Sequence, residues 1–158
     1  MQGSAFDEAA FFAAIAASGA RALLIGRRAL VALGLPVLTA DYDYWIHIDD
    51  LERFNAALTK LDLRPNLQPA EARSRGRYVL ENDERVDVVV AAVIATVDGV
   101  RFSFEDVWAR RTILDCGGSD LPIPSLDDLI ATKRFAARPK DLEDLRLLEV
   151  LRESEEKP

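Results

Sequence analysis

Cysteine is almost missing from this chain, and Cys116 alone excludes an internal disulfide and a cysteine-rich zinc site. Standing beside Gly117-Gly118 with no His/Asp arrangement to activate it, Cys116 reads as structural. Also missing is any apolar run long enough to span a bilayer. The N-terminus carries Asp7 and Glu8 where a secretory signal would carry Lys or Arg, so a cytoplasmic location is expected. Basic excess is lacking too: 20 Lys and Arg stand against 27 Asp and Glu, a net charge of −7. Such a surface does not recruit nucleic acid by bulk attraction, and any such partner needs a local basic patch. No internal repeat and no low-complexity linker divides the chain, so its 158 residues are expected to form one domain with a substantial core.

The apolar spacing predicts an α+β fold, a mixed β-sheet flanked by helices, with its core at about residues 20–115 and C-terminal helices at about 125–152. A helix is expected over 6–18, with Ser4 and Asp7 as possible caps and a stop near Gly19. A short strand from Arg21 to Ile25 ends at Gly26, and a helix follows from Arg27 to Leu33, closed by Gly34 and Pro36. An acidic strand is expected over 39–48. Asp49 and Glu52 then form a capping box ahead of the stripe Leu51, Phe54, Leu58 and Leu61. Beyond a Pro-containing stretch, Arg77–Leu80 and Arg85–Ala95 read as a hairpin or consecutive strands, with another strand at Val100–Phe104. Pro122 and Pro124 mark a loop, and Ser125 with Asp128 gives a second capping pattern. Two helices follow at about 126–137 and 140–152, parted at Pro139, with a frayed tail from Glu153.

Chemistry concentrates in Thr39-Ala40-Asp41-Tyr42-Asp43-Tyr44-Trp45. Strand side chains alternate, so Asp41 and Asp43 are expected on one face, about 7 Å apart. A third acid, Asp87, is embedded in Val86-Asp87-Val88-Val89-Val90. Acids that close repel, and one among valines also loses hydration. A divalent cation relieves these penalties together, and oxygen-only ligands favour Mg²⁺ or Mn²⁺. A half-solvated strand with its acids in water accounts for Asp41 and Asp43 but leaves Asp87 unexplained. His47 is in phase with the acids, as a further ligand or as a surface or capping residue.

Gly26 between strand and helix suits the close approach of an anion to free N–H groups, with Arg27 and Arg28 adding charge; a plain tight turn is the alternative. Lys133 falls on the apolar stripe Leu126, Leu129, Ile130, Lys133 and Ala137, so its ammonium must either snorkel outward or meet an anion. Arg73, Arg75 and Arg77 form a local basic segment, either solvated or placed for a phosphate-bearing acceptor. The acids Asp141 and Asp144 suit the first turn of the last helix.

In their order, Gly26-Arg27, Asp41-Tyr42-Asp43 and Asp87 resemble the nucleotidyltransferase superfamily with the polymerase-beta-type core. Thr39-Ala40-Asp41-Tyr42-Asp43, the segment from Asp128 to Lys133, and Arg138-Pro139-Lys140-Asp141 with Asp144 are similar to the AbiEii/AbiGii-toxin-like and related branches. The resemblance spans about residues 20–150 and departs at Arg27, where the family carries a small residue. It implies transfer of a nucleoside monophosphate from an NTP to a hydroxyl or phosphate acceptor (RNA, protein or small molecule). Asp41, Asp43 and Asp87 would hold the metal, Gly26, Arg27 and Arg28 the phosphates, and Lys133 would offset charge. A metal-dependent phosphodiesterase and a non-catalytic nucleotide-binding or toxin–antitoxin partner are the alternatives, the latter favoured by Arg27.

Overall fold

In the computed structural model, residues 6–96, 98–134 and 139–156 are described; Ser4, Ala137 and Arg138 lie outside them. Helix α1 (Glu8–Ser18) is capped by the Asp7 carboxylate, which accepts from the Ala10 N–H, and stops at left-handed Gly19. Strand β1 (Ala22–Ile25) runs straight into helix α2 (Gly26–Ala32), and β2 (Tyr42–Ile46) follows. A 3₁₀ turn at Ile48–Asp50 leads into α3 (Leu51–Thr59). After these come β3 (Arg64–Pro65), α4 (Pro69–Arg75), β4 (Arg77–Glu81) and β5 (Arg85–Val90). A small hairpin pairs β6 (Val93–Ala95) with β7 (Arg101–Ser103) and gives way to α5 (Phe104–Ala109). A second hairpin of β8 (Thr112–Cys116) and β9 (Ser119–Ile123) precedes α6 (Leu126–Arg134) and α7 (Pro139–Glu156).

Five strands form the main sheet in the order β1-β2-β5-β4-β3. Only β2 and β5 run parallel; the other neighbours are antiparallel, so the sheet is mixed and the fold α+β, as expected. Period-two alternation gives it two unlike faces. Tyr42, Tyr44, Ile46, Val86 and Val88 enter the large core with Phe11 and Phe54 from the α1 and α3 side. On the other face Leu23 and Trp45 pack against Phe104 and Val107 of α5, with the Trp45 ring edge-on to Phe104 at 5.3 Å.

Several boundaries differ from the sequence expectation, each for a local reason. The acidic strand covers Tyr42–Ile46 rather than 39–48, because Arg28 takes the carbonyls of Thr39 and Asp41 instead of a neighbouring strand. The run from Arg85 breaks after Val90, where the Ala91 and Ala92 carbonyls accept from Trp45 Nε1 and the Phe104 N–H. No capping box forms at α3: Glu52 binds Arg73 and Asp50 binds Arg21. Pro122 sits inside β9, in a two-stranded hairpin where one missing N–H is tolerated. The last helix continues through Glu156 instead of fraying at Glu153. Ser125 caps α6 as expected, its hydroxyl accepting from the Asp128 N–H.

Candidate active site

The site is built where β1 turns into α2. Register aligns Ile25 with Asp43 and Asp43 with Asp87, while Val79 opposes Asp87 from β4. Asp43 and Asp87 are therefore side by side on adjacent strands, about 4.8 Å apart at the backbone, on the face away from the large core. Gly26 adopts φ +68°, a conformation L side chains disfavour. A β-carbon there would stand 2.7 Å from Asp43 Oδ2, so only glycine allows the backbone to approach this carboxylate. Asp41 is exposed just ahead of β2 and lines the same open cleft of about 780 Å³ as Gly26, Asp43 and Asp87.

Strand alternation predicts the three acids together, and the sheet sets two of them, Asp43 and Asp87, side by side on adjacent strands. Among the described residues, no three His, Cys, Asp or Glu side chains stand close enough to hold one ion. The oxygen donors that could hold a divalent cation are Asp43 and Asp87 on adjacent strands, with Asp41 on the same cleft wall. Asp87 meanwhile accepts from the Arg85 guanidinium at 3.1 Å. Arg85 was not singled out from the sequence, although its position two residues before Asp87 on a strand puts both on one face.

Arg27 and Arg28 diverge from the cleft. The Arg27 guanidinium binds both carboxylate oxygens of Asp144 at 2.9–3.2 Å and the Leu38 carbonyl at 3.1 Å. Arg28 lies over the Tyr42 ring, 4.1 Å from its centroid. Lys133 does meet an anion rather than snorkelling: Nζ donates to Asp141 at 3.2 Å and Asp144 at 3.1 Å. Both aspartates are fully buried. Burial works against ionisation of Asp144, yet hydrogen bonds from Arg27 and Lys133 outweigh it and hold the carboxyl below its ordinary value. This cluster ties α2, the helix opened by Gly26, to α6 and α7.

His47 is turned to structure: its Nδ1 accepts from the Asp49 N–H and its Nε2 lies 3.0 Å from Glu105 Oε2. Arg73 is held by Glu52 and the Ile48 carbonyl, whereas Arg75 and Arg77 line the cleft. A smaller hollow of about 190 Å³ shares Ile25 and Gly26 with the cleft, is floored by Trp45, and is bordered by Thr132, Lys133 and Asp141.

No family model matches the chain, and no curated protein does. Solved structures do. A candidate nucleotidyltransferase from Thermotoga maritima superposes with TM-score 0.60 at 15% identity, covering 90% of this chain and 89% of that one. The antibiotic-resistance factor ANT(2'')-Ia in solution gives TM-score 0.61 at 18% identity, covering 92% and 86%. The lincosamide antibiotic adenylyltransferase LnuA, lincomycin-bound, gives 0.55 at 13% identity over 82% and 86%. The chain has the nucleotidyltransferase fold.

Proposed function

We propose that this protein transfers a nucleoside monophosphate from an NTP to an acceptor, with Asp43, Asp87 and Asp41 as the residues that hold Mg²⁺ or Mn²⁺. The observation that carries the reading is the contact between Gly26 and Asp43. It sets the turn that opens α2 directly against the Asp43 carboxylate, beside the adjacent Asp87, a close approach that a merely solvated acidic strand does not require. A bound divalent ion supplies positive charge to the triphosphate and acidifies an acceptor hydroxyl. The acceptor oxygen bonds to the α-phosphorus, the α–β anhydride bond breaks, and pyrophosphate leaves with the electron pair. Asp87 receives the hydroxyl proton. The hollow floored by Trp45 is assigned to the nucleoside, because it adjoins Gly26 and is lined mainly by apolar groups. Lys133 offsets charge during transfer, exchanging Asp141 for phosphate. ATP is the first donor to test, since LnuA is an adenylyltransferase and ANT(2'')-Ia was solved with adenylyl-2''-tobramycin.

Incubation with each α-labelled NTP, Mg²⁺ or Mn²⁺, and cellular RNA, protein and small-molecule fractions is the test. Label transfer with pyrophosphate release, abolished in Asp43→Asn and Asp87→Asn, is expected. Hydrolysis without an acceptor would instead indicate a phosphodiesterase. A second reading, a non-catalytic nucleotide-binding or toxin–antitoxin partner, draws on Arg27, whose guanidinium is bound to Asp144 rather than turned to the cleft. NTP binding without turnover under all conditions would favour it.

A further inference from the structure

We propose that the acceptor carries a phosphate group beside its reacting hydroxyl, and that Arg77 is the residue that binds it. This rests on the nucleotidyl-transfer reading and names its second substrate by chemical class. Arg77 opposes Val89, and Val79 opposes Asp87, so Arg77 and Asp87 are diagonal neighbours on one face, roughly 7–8 Å apart at the backbone. Gly26 turns out of β1, while Arg77 belongs to β4, three strands away in the order β1-β2-β5-β4. At about 4.8 Å per strand the two ends of the cleft are separated by roughly 14 Å across the sheet, with the acids between them. An NTP whose phosphates lie at Gly26 therefore leaves Arg77 on the opposite side, where the acceptor approaches.

Charge pairing singles out the same residue. Arg73 is bound to Glu52, Arg75 to Glu71 and Arg85 to Asp87. Arg77 also lines the cleft, and its side chain makes no hydrogen bond or ion pair among the described residues. An arginine without a carboxylate, in a chain with 27 acids to 20 basic residues, is available to an external anion. Its planar fork matches phosphate bidentately. Left-handed Gly76, between Arg75 and Arg77, ends α4 and begins β4, so both arginines are carried on fixed backbone at the cleft wall.

The test is calorimetric titration of the whole chain, saturated with Mg²⁺ and a non-hydrolysable ATP analogue, with four hydroxyl probes: glucose, glucosamine, glucose 6-phosphate and a diribonucleoside monophosphate. At least tenfold tighter binding of one or both phosphate-bearing probes over glucose is expected. The tighter of the two tells a phosphosugar from a polynucleotide end. In Arg77→Gln the preference should fall to within about twofold, and Arg77→Lys should restore part of it. Equal affinity for all probes, a preference for glucosamine, or a phosphate preference that survives in Arg77→Gln would overturn the proposal. Affinity for the ATP analogue is measured alongside. Its loss in Arg77→Gln would assign the arginine to the NTP instead, and its absence in the parent protein would overturn the transfer reading itself.

Discussion

At Gly26 the absence of a side chain lets the turn into α2 stand against the Asp43 carboxylate. Alanine there would have to keep φ near +68° and put its methyl carbon 2.7 Å from Asp43 Oδ2. The backbone penalty alone is about 1–2 kcal/mol for an L residue in the left-handed region. Gly26→Ala is expected to lose at least that much stability in urea titration and to lose NTP affinity; unchanged affinity would show that the close approach has no ligand-binding role. In Asp43→Asn, any rise in melting temperature caused by Mg²⁺ with NTP should disappear. The acids and Gly26 were legible in the sequence because strand alternation and a glycine before a helix are local signals. The fates of Arg27 and Lys133 were not, because Asp144 is remote in sequence from Arg27 and only the packing of α7 brings them together.

Among the elements, α7 depends most on a few charges. Asp144→Ala leaves Arg27 and Lys133 without their shared buried carboxylate, and breaking such a cluster typically costs 3–5 kcal/mol, roughly. Chemical denaturation should register a loss of about that size, and Lys133→Met a comparable one in addition to lower turnover. Acid acts on the same contact. The folded carboxyl of Asp144 lies below its ordinary 3.8, so its contribution is complete above that value and is lost as pH falls through the folded one. Glu52, held at about 2 by Arg73, behaves likewise in a more exposed setting. Melting temperature followed from pH 5 down to 2 should drop steeply in the parent and less in Asp144→Asn. Elements with strong caps or periodicity, α1, α3 and α6, were readable from sequence. Helix α4 carried usable signals, Pro69 in its first turn and Gly76 after its end, but is too short for a hydrophobic stripe. Helix α5 and the β8–β9 hairpin are equally short, and their partners are distant in the chain.

For the whole molecule, ligand linkage is the broadest check. An NTP with Mg²⁺ at a hundredfold excess over its Kd adds about 2.7 kcal/mol to the native state alone. For a chain this long that corresponds to roughly 2–4 °C per kcal/mol. A rise of that order in differential scanning calorimetry, absent in Asp43→Asn, is expected; no shift at any accessible concentration would count against a nucleotide site. Among the described residues no helix is long and apolar enough to cross a membrane.

The lone parallel pairing in the sheet, β2 with β5, bears on the order in which the protein assembles. The β4–β5 hairpin closes over a short turn, whereas β2 pairs with β5 across a long stretch of intervening chain, a non-local contact of the kind that forms slowly. Asp43 and Asp87 meet across that seam, so their juxtaposition requires β2 and β5 to be paired. Bringing two carboxylates side by side carries a cost that a divalent cation would relieve. A divalent cation present during refolding should then quicken the reaction in stopped-flow, and the acceleration should vanish when either aspartate is made asparagine. The residues assigned to nucleotide chemistry would in that case also govern how fast the chain folds.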